Sequence, residues 1–382
     1  MVPCVSARAG NCKESRAFVR APLLRFLLVI ALAVVATMLC ALPTYAADRP
    51  TFTIGWSIYA GWNPYYYMAR SGILKRWADK YGVEIKVQRF DYAASLDAFV
   101  AKNIDACTMT NMEALDMPAA SGVDSTVIIL GDYSNGNDAV LVRNGLSFSQ
   151  LPGKSLMLVQ KTVSEYLFER GMVVNGLQGQ LGKVKLINTS DSDIVPTFLS
   201  NASNQAVVTW KPLVSEILRD KHVTSIFDSS KIPGEILDLL VVRSEVLRRP
   251  DGSGERFAKA VSGAWFETVA QLAGSGPAAN QAISGSAAAS GDTVESYREQ
   301  LSTTFLFSTP RAAADFVRGE SLKQKMELVR QFCFEHGLLG QGVRSVDDVA
   351  ISYPDGTIQG KKDRIRLRYD ATYMSLAQEG RL

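Results

Sequence analysis

The chain has 382 residues, 47% of them hydrophobic, and a formal net charge of +3, enough apolar material for one large core or two of ordinary size. Five bases against one acid, Glu14, fall within the first 46 residues, so the remainder carries a net charge of −1. That balance lacks the basic footprint of a nucleic-acid-binding protein.

The stretch 26–42 is apolar except for Thr37, follows Arg16, Arg20 and Arg25, and is followed by Pro43-Thr44-Tyr45-Ala46-Ala47. That is the order of an export signal, with cleavage expected after Ala46 and a periplasmic address for the rest. An uncleaved membrane anchor is the alternative, because the run is long for a signal core. Leu39 before Cys40 is too large for a lipidation signal. Without 1–46 only Cys107 and Cys333 remain. They either pair or stay as buried thiols, burial being the plainer reading.

From 51 the chain reads as alternating strands and helices. Thr51 to Trp56 is a short strand, and the aromatic loop Tyr59-Ala60-Gly61-Trp62 leads into a helix over 64–81, started by Asn63-Pro64 and ended by Gly82. Strands are expected over 83–90, 104–109 and 126–130, the last a β-branched run suited to a central parallel strand, with helices between them. Leu130-Gly131-Asp132-Tyr133-Ser134-Asn135-Gly136-Asn137 is polar and glycine-punctuated, as a crossing between lobes requires. The alternation restarts with strands over 154–159, 184–187 and 206–209 and helices over 162–175 and 192–201, and 237–242 reads as a strand returning to the first lobe. A helical region follows. The tail holds the turn Tyr353-Pro354-Asp355-Gly356-Thr357 between short extended pieces and a last helical turn or two. The division is 1–46 signal, 51–136 first part of lobe 1, 137–240 lobe 2, 241–340 lobe 1 return and helical region, and 341–382 C-terminal tail. The fold class is α/β: two lobes, each a mixed sheet flanked by helices, with a helical C-terminal extension.

Several motifs carry a resemblance. Gly55-Trp56-Ser57, Gly61-Trp62-Asn63-Pro64, Gly72-Ile73-Leu74-Lys75, Thr110-Asn111-Met112-Glu113, Gly122-Val123-Asp124-Ser125-Thr126, the 131–137 segment and Trp210-Lys211-Pro212 resemble the periplasmic binding proteins of ABC importers in the nitrate, sulfonate and taurine group, and within it the urea-carboxylase-associated branch. The likeness covers most of 51–380. It implies a type II two-lobed cleft, delivery of solute to an inner-membrane permease and its ATPase, a monomer, and a small nitrogen-rich solute such as guanidine or urea.

Strand ends and the crossing supply rings (Tyr59, Trp62, Tyr65, Tyr133, Trp210), carboxylates (Glu113, Asp132, Glu165, with Asp138 set further into the second lobe) and amides (Asn111, Asn135), at the strand ends where open α/β sheets bind ligands. Rings stacked on a flat cation and carboxylates paired with its N–H groups suit guanidinium. Glu113 and Glu165 also stand in capping boxes, Thr110-x-x-Glu113 and Thr162-x-x-Glu165, where the carboxylate serves its own helix start. Lys211 is expected to point outward, away from a cationic guest.

Chemistry is sparse. His222 and His336 stand apart from any Cys or acid cluster at metal spacing, no Gly-x-Ser-x-Gly elbow occurs, and Pro152-Gly153-Lys154-Ser155 lacks the first glycine of a phosphate loop, Phe148 standing there. A binder without metal or cofactor is expected, not an enzyme. The alternatives are a binder of a thiamin-precursor pyrimidine or an alkylsulfonate such as taurine, a sensor docking on a receptor, and an enzyme of the pyrimidine-synthase type.

Overall fold

The computed structural model describes Met1, Pro3 and residues 49–382; the expected export signal lies otherwise outside the described residues. Residues 50–382 form one compact unit, to which the following refers. No helix among the described residues is long and apolar enough to cross a membrane.

Fourteen strands build two sheets: β1 Thr51–Trp56, β2 Glu84–Arg89, β3 Ala106–Thr110, β4 Ser125–Ser134, β5 Asp138–Arg143, β6 Ser155–Leu158, β7 Lys185–Asn188, β8 Ala206–Trp210, β9 Val223–Asp228, β10 Leu237–Arg243, β11 Thr304–Leu306, β12 Ala350–Ser352, β13 Ile358–Gln359 and β14 Ile365–Tyr369. The larger sheet runs β13-β12-β14-β4-β10-β3-β1-β2, with β11 beside β4, and the smaller runs β7-β6-β8-β5-β9. The chain thus leaves the first lobe after β4 and returns at β10, and β12, β13 and β14 of the C-terminal part extend the first sheet beside the closing helices. The two crossings are tied to one another: Ser134 and Ser229 share a hydroxyl–hydroxyl bond of 2.6 Å, and the Gly136 N–H donates to Ser229 Oγ at 2.7 Å. A pair of adjoining strands is the geometry of a hinge between lobes.

Local sequence accounts for the differences from expectation. The first helix is two, Asn63–Arg70 and Ile73–Tyr81, because Gly72 takes φ +83°, a left-handed turn that glycine adopts at no steric cost. After β3 the helix Asn111–Ala114 widens into a π-turn over Leu115–Ala119, where Pro118 has no N–H to give. β4 is apolar as foreseen, yet its neighbours β10 and β11 are antiparallel and only β14 is parallel. Cys107 on β3 and Cys333 in the helix Glu320–Glu335 are both free and buried.

The long helix Ser253–Ala273 closes one face of the first sheet. Phe257 stacks on Phe52 with ring centroids 4.6 Å apart, and Trp265 stacks on Tyr65 at 4.6 Å. Gly263 lets the Trp77 ring lie directly on the helix backbone, where any Cβ would overlap it. Gly263→Val should therefore lower the unfolding free energy by about 1–3 kcal/mol through overpacking. Urea denaturation reads this directly, and an unchanged midpoint would show that the two helices are not in close contact.

Candidate functional site

Three carboxylates converge where the lobes join. Asp132 on β4 and Asp238 on β10 are cross-strand partners, and Asp138 is the first residue of β5. All three are buried. Their carboxyls form no ion pair with Lys or Arg among the described residues; the groups that act on them are other acids, Tyr59 and Ser134. The Tyr59 hydroxyl lies 3.2 Å from Asp132 Oδ1, and Asn137 Nδ2 donates to that hydroxyl at 3.1 Å. The Oδ2 atoms of Asp132 and Asp238 have no donor in the protein. Gly61 makes room for this cluster, since a Cβ there would overlap the Asp132 carboxylate. Burial pushes Asp132 and Asp138 up to about 7, and burial plus the charge of Asp132 raises Asp238 well above the usual carboxylate range. Two facing acids without a cation hold a proton more firmly than water-exposed ones.

Aromatic rings complete the chamber. Tyr59 meets Trp62 edge-on at 5.1 Å between centroids, Trp62 meets Tyr92 at 5.3 Å, and Tyr92 meets Trp210 edge-on at 5.7 Å. Together with Thr110, Val163, Ile236, Asp138 and Asp238 they line a cavity of about 10 Å³, room for one water. The wall contains no Lys or Arg.

Polar bonds hold the lobes together around this chamber. Trp210 Nε1–H donates to the Ile58 carbonyl at 3.2 Å, and the Tyr92 N–H donates to Asp191 Oδ2 at 3.1 Å. Glu113 accepts from Thr110 Oγ1 and, at 2.7 Å, from the N–H of Val163. Val163 opens the second-lobe helix Val163–Val174, so the carboxylate already occupies that positive helix end.

Of the residues singled out in the sequence, Tyr59, Trp62 and Trp210 line the chamber, and Asp132 backs it through Tyr59 and Asp238. The others lie elsewhere. Tyr65 is packed on Trp265. Asn111 braces the start of β10, donating to the Glu235 carbonyl at 3.1 Å and accepting from the Leu237 N–H at 3.0 Å. Tyr133 stacks on Phe305 at 4.4 Å. Glu165 accepts from the Lys161 N–H at 2.8 Å, serving its own helix start, whereas Glu113 reaches across to the other lobe. Lys211 does not point outward: it is buried, 2.5 Å from Glu299 Oε1 and 3.0 Å from Thr303 Oγ1. Tyr92, Thr110, Val163, Ile236 and Asp238 are wall residues that sequence reasoning did not select as site residues, and Asp138 is more central than its position suggested. An acid inside the apolar run Leu237-Asp238-Leu239-Leu240 was the available signal for Asp238.

Neither a protein-family model nor a curated protein matches this chain in sequence. In three dimensions it is similar to the periplasmic aliphatic sulphonate binding protein SsuA from Escherichia coli, with a TM-score of 0.60 and 15% identity over 76% of this chain and 94% of that one. The alkanesulfonate-binding protein SsuA from Xanthomonas axonopodis pv. citri, bound to MOPS, gives a TM-score of 0.60 and 14% identity over 77% and 96%. A Candida albicans protein with the generic periplasmic binding protein fold gives 0.52 and 13% over 77% and 97%. At such identities the likeness shows the fold, which is the two-lobed periplasmic binding protein fold of type II.

The raised acids have a measurable consequence. Between about pH 4 and 7 the unfolded chain has released protons that folded Asp132 and Asp138 retain, so stability falls as pH rises through this window. His336, raised to about 9 by its bond to Glu169, adds stability present below its unfolded value and lost as pH climbs through 9. Melting temperature should accordingly drop from pH 5 to 8, and Asp132→Asn combined with Asp138→Asn should flatten the part below pH 7. A melting temperature that climbs across that range in both proteins would contradict the assignment.

Proposed function

We propose that this chain is the extracytoplasmic solute-binding component of an ABC importer, closing on a small, flat, nitrogen-rich cation of the guanidine type, or on urea. It then delivers the guest to an inner-membrane permease driven by an ATPase. The observation that carries the reading is the chamber wall: four aromatic rings, two carboxylates and no basic side chain. A guanidinium stacked between rings gains about 0.5–2 kcal/mol per cation–π contact, and its N–H groups supply the donors that Asp238 Oδ2 lacks.

The sulfonates named for the similar structures require the opposite lining. A sulfonate seeks Arg, Lys or an open helix N-terminus, and here the start of the helix Val163–Val174 is given to Glu113. The fold similarity and the strand-end position of the chamber support a binder rather than an enzyme. A monomer that docks through the outer rims of both lobes fits delivery to a permease, and the same rims would serve a receptor.

A melting-shift screen tests the guest directly, because a ligand at a hundred times its dissociation constant stabilises the fold by about 2.7 kcal/mol. Guanidine, methylguanidine or urea should raise the melting temperature, and a shift with taurine or nitrate alone would refute the cation reading. Trp210→Ala should weaken binding about tenfold, ~1.4 kcal/mol, while Glu165→Gln leaves it within about twofold, as for a surface change. Guanidinium must ionise the acids it pairs with. Calorimetry near pH 6.5 in buffers of different ionisation enthalpy should therefore register proton release, whereas uptake of protons would contradict the pairing.

A further inference from the structure

A second cavity lies between the lobes, and Trp210 belongs to the walls of both. The inner chamber closes to about 10 Å³, whereas the outer one measures about 320 Å³. Arg89 and Asp91 bound the outer space from the first lobe, and Asp191, Glu216 and Leu213 from the second, so three carboxylates face one guanidinium. The two spaces are coupled through the backbone: the Tyr92 ring lines the inner chamber while its N–H donates to Asp191, an outer wall residue, at 3.1 Å. The Trp210 indole, its N–H on the Ile58 carbonyl, stands between them. Burial, and then the charge of neighbouring Asp91, raises the Asp191 carboxyl. In the inner chamber Asp238 Oδ2 and Trp62 Nε1 remain without partners although both residues are more than nine-tenths buried.

Resting on the cation reading above, we propose that the guest has two heads: a guanidinium or amidinium group in the inner chamber, joined by a short alkyl chain past Trp210 to a primary ammonium in the outer one. Trp210 is the one residue common to both walls, so a chain joining the two spaces would run beside its indole. Leu213, Val195 and Pro196 offer that chain an apolar surface. An ammonium, with three donors and no acceptor, matches a rim of acids, and an anionic end would be repelled by it. A neutral alkyl end gains the apolar contact and leaves the acids solvated, so the charge on the far end is the discriminating feature.

The test is titration calorimetry of the full chain with guanidinium chloride, n-butylguanidine and 4-aminobutylguanidine, repeated with Asp91→Asn combined with Glu216→Gln. Asp91 and Glu216 are exposed, and Asp91 makes no side-chain cap bond to its helix, so a melting curve confirms folding before the titration. The amino compound should bind at least about tenfold more tightly than the butyl compound, and the substituted protein should reduce that ratio to below about threefold. A ratio near one in the unaltered protein, with guanidinium itself bound, overturns the two-headed guest and leaves the inner site intact. Binding of none of the three compounds overturns the cation reading and this inference with it.

Discussion

Asp132, Asp138 and Asp238 are kept inside the protein without a cation to balance them. Removing an ionised carboxylate from water costs several kcal/mol unless it is paired, and burial accordingly raises all three above the usual carboxylate range. Their positions explain why such a cost is tolerated. Asp132 sits near the end of β4, Asp138 at the start of β5 and Asp238 near the start of β10, so each stands beside a point where the chain passes between lobes. On the proposed reading, a cation held at these points would offset the cost of keeping the acids out of water.

The surrounding polar bonds show how the closed arrangement is shaped. Glu113 on the helix start at Val163, Asp191 on the Tyr92 amide and Trp210 on Ile58 all cross from one lobe to the other. Away from the chamber, Glu235 in the return crossing accepts from Tyr166 at 2.6 Å and from Arg170 at 2.8 and 3.1 Å. These groups are matched within the protein. In the acid cluster Oδ2 of Asp132 and of Asp238 has no partner within the protein, and the contrast separates groups that shape the cleft from atoms open to a guest. Proteins tend to break the rules of polar satisfaction at functional sites and not elsewhere.

Much of this arrangement was legible in the sequence. Alternating short strands and helices pointed to a two-lobed α/β fold, which the structure has, and Trp62 and Trp210 stood out because each abuts loop residues and not a helical stripe. What escaped detection depended on register. Tyr92 reads as an ordinary residue after a cap, and only the packing of its helix turns its ring toward Trp62. Glu113 and Glu165 have the same local spacing, yet one reaches Val163 in the opposite lobe and the other stays with Lys161; no local pattern distinguishes them. Lys211 looked like a surface charge because nothing in its neighbourhood reveals Glu299, 88 residues further along the chain.

The central claim is that unpaired acids and rings brought from both lobes select a planar cation. A crystal structure grown with guanidinium tests it most directly. The account predicts planar density among Tyr92, Trp62 and Trp210, with nitrogens within hydrogen-bond distance of Asp138 and Asp238. Density for a sulfonate or nitrate in that chamber, or guanidinium found only on the outer surface, would contradict it.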